Sequence, residues 1–178
     1  MIEFKKVGKE DWKEVKAIYK EAFPKREQKP FFSLRFSVYR EKVLMYVAKE
    51  DGVVLGFIVV CVSGDLVMVD YLAVSQKIRS KGTGSYILSS LSKLYKDKRI
   101  VLLIEKLDEC SDNVAQRIAR RKFYFKNGFE SSNLYMQGKS GEMEILSLGG
   151  KVSRPEFLRV FKADLGPLFF KLAKVTVY

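Results

Sequence analysis

Val69-Asp70-Tyr71-Leu72-Ala73-Val74 is an apolar strand that runs into a cationic, glycine-bearing turn, Arg79-Ser80-Lys81-Gly82-Thr83-Gly84. The turn opens a helix at Ser85-Tyr86-Ile87-Leu88. A junction of this kind leaves the first N–H groups of the helix unpaired, where the helix dipole places partial positive charge. Gly82 and Gly84 carry no Cβ, so a phosphate can come close to the backbone. Arg79 and Lys81 add full positive charges beside it. The chemistry these residues suit is capture of a phosphorylated ligand at a helix N-terminus. The chain has no histidine, which excludes His-based zinc sites and Ser-His or Cys-His catalysis.

The elements that must position this turn follow from hydrophobic spacing. Ile2 to Val7 alternates as a strand, and Lys9 to Phe23 carries Trp12, Val15, Ile18, Tyr19, Ala22 and Phe23 at helical spacing until Pro24 stops it. Phe23 to Pro30 reads as a loop and Phe31 to Arg40 as a short helix. Leu44 to Lys49 and Val53 to Val62 form strands across Asp51-Gly52, a strong hairpin dipeptide, and a further strand spans Leu66 to Val74. The helix after Gly84 runs to about Tyr95, followed by the strand Ile100 to Glu105. Val114 to Asn127 is a cationic helix with Gly128 as its C-cap. Leu134 to Gln137 and Met143 to Leu148 pair as a hairpin, and the tail from Pro155 has the apolar content of packed helix.

Composition bounds the class. The 178 residues suffice for one core, and 47% of them are hydrophobic, so the chain is globular. The longest apolar runs stop short of a membrane span, and Met1 to Lys6 lacks the features of a signal peptide. Two cysteines, Cys61 and Cys110, make no disulfide framework, so the expected location is cytoplasmic. The net charge of +12 raises polyanions as partners without selecting one.

Two stretches together resemble the GNAT superfamily of acetyl-CoA-dependent N-acyltransferases. One is Leu72-Ala73-Val74 at its fixed distance from Arg79-x-x-Gly82-x-Gly84, similar to that family's CoA-binding signature. The other is Phe123-Tyr124-Phe125-Lys126-Asn127-Gly128-Phe129, similar to its "FYxKxGF" segment. The order of elements agrees over residues 1–150. The resemblance implies an α/β (α+β) fold, with a mixed, mainly antiparallel sheet flanked by helices. The fourth strand, Leu66 to Val74, would splay from the fifth to form a cleft for acetyl-CoA. Residues 1–150 would form the acetyltransferase domain. Residues 151–178 would form a C-terminal helical extension packed on that domain or on a partner.

The resemblance also assigns roles. The backbone of Leu72, Ala73 and Val74 would hold the pantetheine arm, and Arg79, Ser80, Lys81, Gly82, Thr83, Gly84 and Ser85 the pyrophosphate. Phe123 and Lys126 fall among the cofactor contacts. Tyr124 matches the tyrosine that often protonates the leaving thiolate, and its phenol is protonated at neutral pH. Asp70 and Glu105 are the candidate bases, each equally readable as an ordinary salt-bridged carboxylate. No metal is implied. Two positions depart from the family pattern: Ser80 stands where relatives often have Gly, and Arg117 where they often have Asn.

The expected function is transfer of an acetyl group from acetyl-CoA, as co-substrate, to a primary amine by direct attack in a ternary complex. The alternative is a non-catalytic acyl-CoA sensor or scaffold of the same fold. Acceptor recognition is expected from residues 23–40, where Phe31, Phe32 and Phe36 line a pocket or pack in the core and Glu27 could hold a cation. Membrane partners are not expected. Neither is nucleic acid, since the cations of Arg117 to Lys126 come without a recognised nucleic-acid motif. A homodimer through the aromatic tail stays open.

Overall fold

The computed structural model describes residues 1–25, 28–78, 82–138 and 141–178. The first half of the chain forms β1 (Glu3–Lys6), α1 (Trp12–Ala22), α2 (Phe31–Tyr39), β2 (Leu44–Glu50), β3 (Val53–Ser63) and β4 (Leu66–Val74). There follow α3 (Thr83–Leu94), β5 (Arg99–Glu105), α4 (Val114–Lys126), β6 (Glu130–Gly138) and β7 (Gly141–Leu148). The tail is α5 (Arg154–Leu165), α6 (Pro167–Ala173) and β8 (Thr176–Val177).

The strands form one eight-stranded mixed sheet in the order β1-β2-β3-β4-β5-β7-β6-β8. The pairings β1–β2, β2–β3, β5–β7, β6–β7 and β6–β8 are antiparallel, and β4–β5 is parallel. The β2–β3 turn is at Asp51-Gly52, with φ of +49° and +81°. Two consecutive left-handed residues give the turn twist that matches paired strands, which is why Asp-Gly marks hairpins so strongly.

The chain divides into two compact units, Met1–Cys61 with Asp70–Leu94, and Val62–Val69 with Tyr95–Tyr178. In the first, α1 buries Val15, Ile18 and Tyr19, and α3 buries Ile87, Leu88 and Leu91, while Phe57 and Ile58 of β3 are wholly buried. The start of α1 is tied to β2 by a buried ion pair, Lys49 Nζ to Asp11 Oδ1 at 2.5 Å, and Gly8 N–H donates to the other oxygen of Asp11 at 2.7 Å. The hydrogen bond to Asp11 holds the Lys49 amine above its ordinary pKa against the opposing effect of burial.

In the second unit, Ile100, Val101, Leu102 and Ile104 of β5 and Ile145 and Leu146 of β7 are buried. Phe157, Val160 and Phe161 of α5 are buried at i, i+3, i+4 spacing, the expectation for an amphipathic helix. The helix opens with a reciprocal capping box between Ser153 and Glu156. Arg99 pairs with Asp65 and, at 2.5 Å, with Glu156, and donates to the Lys151 carbonyl at 2.7 Å. Arg99, then the Ser153 hydrogen bonds, bring the Glu156 carboxyl down to about 2.

Two boundaries differ from the sequence expectation. β6 begins at Glu130 instead of Leu134, because its first residues, Ser131 to Asn133, are polar and carry a bulge with Asn133 at φ +55°. The tail is helical over α5 and α6, then Lys174 turns left-handed at φ +47° and β8 joins the sheet beside β6. The run Val175-Thr176-Val177 is β-branched, which suits strand better than helix.

Candidate functional site

In the first unit the site is built on the end of β4. Its parallel register with β5 covers Leu66–Val69 against Arg99–Leu102 and goes no further. From there Tyr71 and Ala73 are buried while Asp70, Leu72 and Val74 are partly exposed, the alternation of a strand with one face on the core. Tyr71 is fixed by edge-to-face contacts with Tyr19 at 5.3 Å and Phe23 at 5.0 Å. Burial, then the neighbouring Asp70 charge, pushes its phenol far above the ordinary tyrosine range. β3 must come close at this point: a Cβ on Gly56 would stand 2.6 Å from the Ala73 carbonyl oxygen and 3.2 Å from Val74 Cα. Ser75 N–H donates to the Leu55 carbonyl at 2.9 Å just beyond.

After β4 comes a short 3-10 turn, Gln76–Ile78. Arg79, Ser80 and Lys81, three of the expected phosphate-binding residues, lie outside the described residues, as does Glu27. Gly82 has φ +82°, a backbone conformation that favours glycine, and among the described residues a Cβ there would meet nothing within 4 Å. α3 starts at once with buried Thr83, then Gly84 and Ser85, and its first turn closes through Tyr86 N–H to the Gly82 carbonyl at 2.9 Å. Its leading N–H groups precede that bond and face no intrahelical acceptor. Asp70 accepts a hydrogen bond from Lys29 Nζ at 2.7 Å, and the same ammonium stands 5.5 Å from the centre of the Tyr71 ring.

In the second unit the Phe123–Phe129 segment is a helix terminus. Gly128, at φ +84°, follows the C-cap Asn127; its N–H donates to the Phe125 carbonyl at 3.0 Å, and Phe129 N–H donates to the Tyr124 carbonyl at 3.1 Å. This is a Schellman closure, and the hydrophobic contact that accompanies it is between Tyr124 and buried Phe129, rings 5.6 Å apart. Phe123 packs edge-to-face on Tyr124 at 5.2 Å, and Lys126 is exposed in the last turn. Among the described residues the Tyr124 hydroxyl has no hydrogen-bond partner, and desolvation pushes it up to about 12 against a smaller opposing effect of Arg120.

Glu105, at the end of β5, is held by Arg120 at 3.0 Å, Arg117 at 3.5 Å and the Asn113 amide at 3.2 Å. Arg117 also donates to the Asn113 side chain and the Lys106 carbonyl, both at 2.8 Å, so the arginine at a usual Asn position braces the loop before α4. Buried Glu144 of β7 is gripped by Arg121, at 2.9 and 3.2 Å, and that guanidinium stands 4.1 Å from the Phe125 ring centre.

Asp70, Leu72, Ala73, Val74, Gly82, Thr83, Gly84 and Ser85 thus belong to the first unit, and Glu105, Phe123, Tyr124 and Lys126 to the second. Sequence reasoning missed Lys29, Gly56, Arg121 and Glu144. The pairings of Lys29 with Asp70 and of Arg121 with Glu144 join residues distant in the chain. Gly56, an isolated glycine inside an apolar strand, was a legible sign of close backbone approach.

The profile of the acetyltransferase (GNAT) domain matches residues 41–131, just over half of the chain. The chain therefore belongs to the GNAT acetyltransferase family, a class of acyl-transferring enzymes. A Bacteroides thetaiotaomicron protein of the GNAT family superposes with a TM-score of 0.73 at 21% identity, covering 94% of this chain and 98% of its own. A ribosomal-protein alanine N-acetyltransferase from Escherichia coli gives 0.65 at 17%, with 86% and 96% covered. The PaiA N-acetyltransferase from Thermoplasma acidophilum, solved with coenzyme A, gives 0.61 at 20%, with 83% and 98% covered. No curated protein sequence matches the chain. Among the described residues no helix is long and apolar enough to cross a membrane.

Proposed function

We propose that this chain transfers an acetyl group from acetyl-CoA to a primary amine by direct attack in a ternary complex. The observation that carries this reading is the end of β4, where pairing with β5 stops at Val69–Leu102 and the strand continues to Val74, followed by Gly82 at positive φ and the start of α3. A strand end of this kind suits the amide-bearing pantetheine arm, which Leu72, Ala73 and Val74 would bind through the backbone. The amides of Gly82 to Ser85, with Arg79, Ser80 and Lys81, suit the diphosphate. Phe123 and Lys126 are assigned to the cofactor by the family resemblance.

The amine nitrogen attacks the thioester carbon, the C–N bond forms and the C–S bond breaks. The amine proton passes to a base, and the leaving thiolate takes a proton from Tyr124, whose phenol stays protonated throughout the neutral range. Of the two candidate bases we assign Asp70. Glu105 has its oxygens engaged by two arginines and an amide, whereas among the described residues Asp70 binds only Lys29, through one oxygen. A chain whose two cysteines, Cys61 and Cys110, make no disulfide framework suits a reducing compartment such as the cytoplasm.

The test is to incubate the chain with acetyl-CoA and a panel of primary amines while following free thiol. Amine-dependent thiol release is expected, and Gly82→Glu should abolish cofactor binding by strain and charge repulsion. Measurable CoA binding with no amine-dependent thiol would replace the enzyme by an acyl-CoA sensor.

A further inference from the structure

α2 is apolar on both sides. It buries Leu34, yet it also turns Phe32, Phe36 and Tyr39 outward, exposed by 78%, 58% and 81%. Positions i, i+4 and i+7 make one stripe along the helix, and large rings so exposed signal a contact surface. Beside this stripe α1 and α2 enclose an open groove of about 590 Å³ lined by Trp12, Lys13, Lys16, Phe31, Phe32 and Arg35. Among the described residues no carboxylate lines it. Among the described residues Lys13, Lys16 and Arg35 form no ion pair or hydrogen bond. Among the described residues nothing pairs with their positive charge, which suits an anionic ligand.

Cations and rings are interleaved. Arg35 stands 5.4 Å from the Trp12 ring, Lys16 5.8 Å from Phe31, and Arg40 5.9 Å from Phe36. A lipid surface favours an unbroken apolar stripe, because each cation carried inward with the rings must be desolvated. An alternation of planar ring and cation complements a ligand that alternates planar base and phosphate. We infer that the α1–α2 face binds single-stranded nucleic acid, with Phe32, Phe36 and Tyr39 as stacking platforms and Lys13, Lys16, Arg35 and Arg40 on the phosphates. The surface lies in the first unit, and none of the described residues assigned to acetyl-CoA lines it. The basic helix α4 is not involved, since its arginines already hold Glu105 and Glu144.

Trp12 is the only tryptophan, so its fluorescence reports on the groove directly. The full chain is titrated with a fluorescein-labelled, mixed-sequence single-stranded RNA of about 12 nucleotides, within the range such surfaces span. Binding should quench Trp12 and weaken with salt. The combined Phe32→Ala, Phe36→Ala and Tyr39→Ala variant should lose about tenfold or more in affinity. Lys13→Glu with Lys16→Glu should flatten the salt dependence by about 0.7 in logarithmic slope for each phosphate no longer neutralised. Both variants should keep the CoA affinity of the parent, which shows that they fold. The inference is overturned if the ring variant binds as the parent does, or if a duplex of the same sequence binds as tightly as the single strand. It is equally overturned if the RNA does not bind, including the case in which phosphatidylglycerol vesicles alone do.

Discussion

Tyr124 combines a protonated phenol, a hydroxyl without a partner among the described residues, and a backbone fixed at a helix terminus. Removing its hydroxyl should therefore change proton donation and little else. Tyr124→Phe is expected to lower kcat by about 100-fold or more, the range for loss of a general acid, with the affinity for CoA within about twofold of the parent. The pH dependence follows from the sign of the shift. Desolvation raises the phenol to about 12, so its donating form persists as pH rises and is lost only on approaching that value. The kcat profile should show no falling limb from this group between about pH 7 and 10. A limb near pH 9 that vanished in Tyr124→Phe would contradict the raised phenol, and a kcat unchanged by Tyr124→Phe would contradict the role. Lys29 and Arg117 mark the limit of sequence reasoning at this scale. The types were visible, but their partners, Asp70 across 41 residues and Glu105 across a loop, exist only once the chain is folded.

The "FYFKNGF" segment has a structural meaning apart from any ligand. Gly128 supplies the left-handed residue, Phe129 returns to close the last turn, and its ring backs Tyr124. Gly128 was expected as the C-cap and stands one residue beyond it, after Asn127; the helix end was legible because a Schellman terminus favours glycine at that left-handed position. The hairpin at Asp51-Gly52 was legible for a similar local reason. Gly56 is the less obvious case, since its φ is ordinary and its role is distance. Gly56→Ala would press a methyl against the Ala73 carbonyl, a backbone atom that cannot rotate away, and against Ile87 Cδ1 at 3.1 Å. The expected cost is about 1–3 kcal/mol, seen as a lower thermal midpoint, with weakened CoA binding because β4 is displaced at Ala73–Val74. Unchanged CoA affinity in a clearly destabilised variant would separate that stretch from the cofactor.

For the molecule as a whole, the order of elements and the strand-turn-helix junction could be read from periodicity and turn residues, whereas the mixed sheet was implied by the family resemblance. What could not be read were features without a local period. The polar, bulged start of β6 hides a strand behind Ser131 to Asn133, and β8 is two residues long. The +12 charge was equally uninformative as a total. It gained meaning only when Arg99, Arg117, Arg120 and Arg121 were found engaged by carboxylates while, among the described residues, Lys13, Lys16 and Arg35 were not.

The short parallel ladder between β4 and β5 also sets an order of events in folding. The β2–β3 and β6–β7 hairpins join neighbouring segments, and closures of that kind take microseconds. Leu66–Val69 can meet Arg99–Leu102 only after the whole of residues 70–98, α3 included, has been looped around. The turn at Gly82 is therefore organised late, after the hairpins that flank it in the chain. Leu88→Ala in α3 should accelerate unfolding and leave refolding nearly unchanged, while Val47→Ala in β2 should slow refolding, both read from chevron plots. Were Leu88→Ala to slow refolding by the full stability it removes, α3 would belong to the nucleus and the junction between β4 and α3 would be among the first parts of the chain to form.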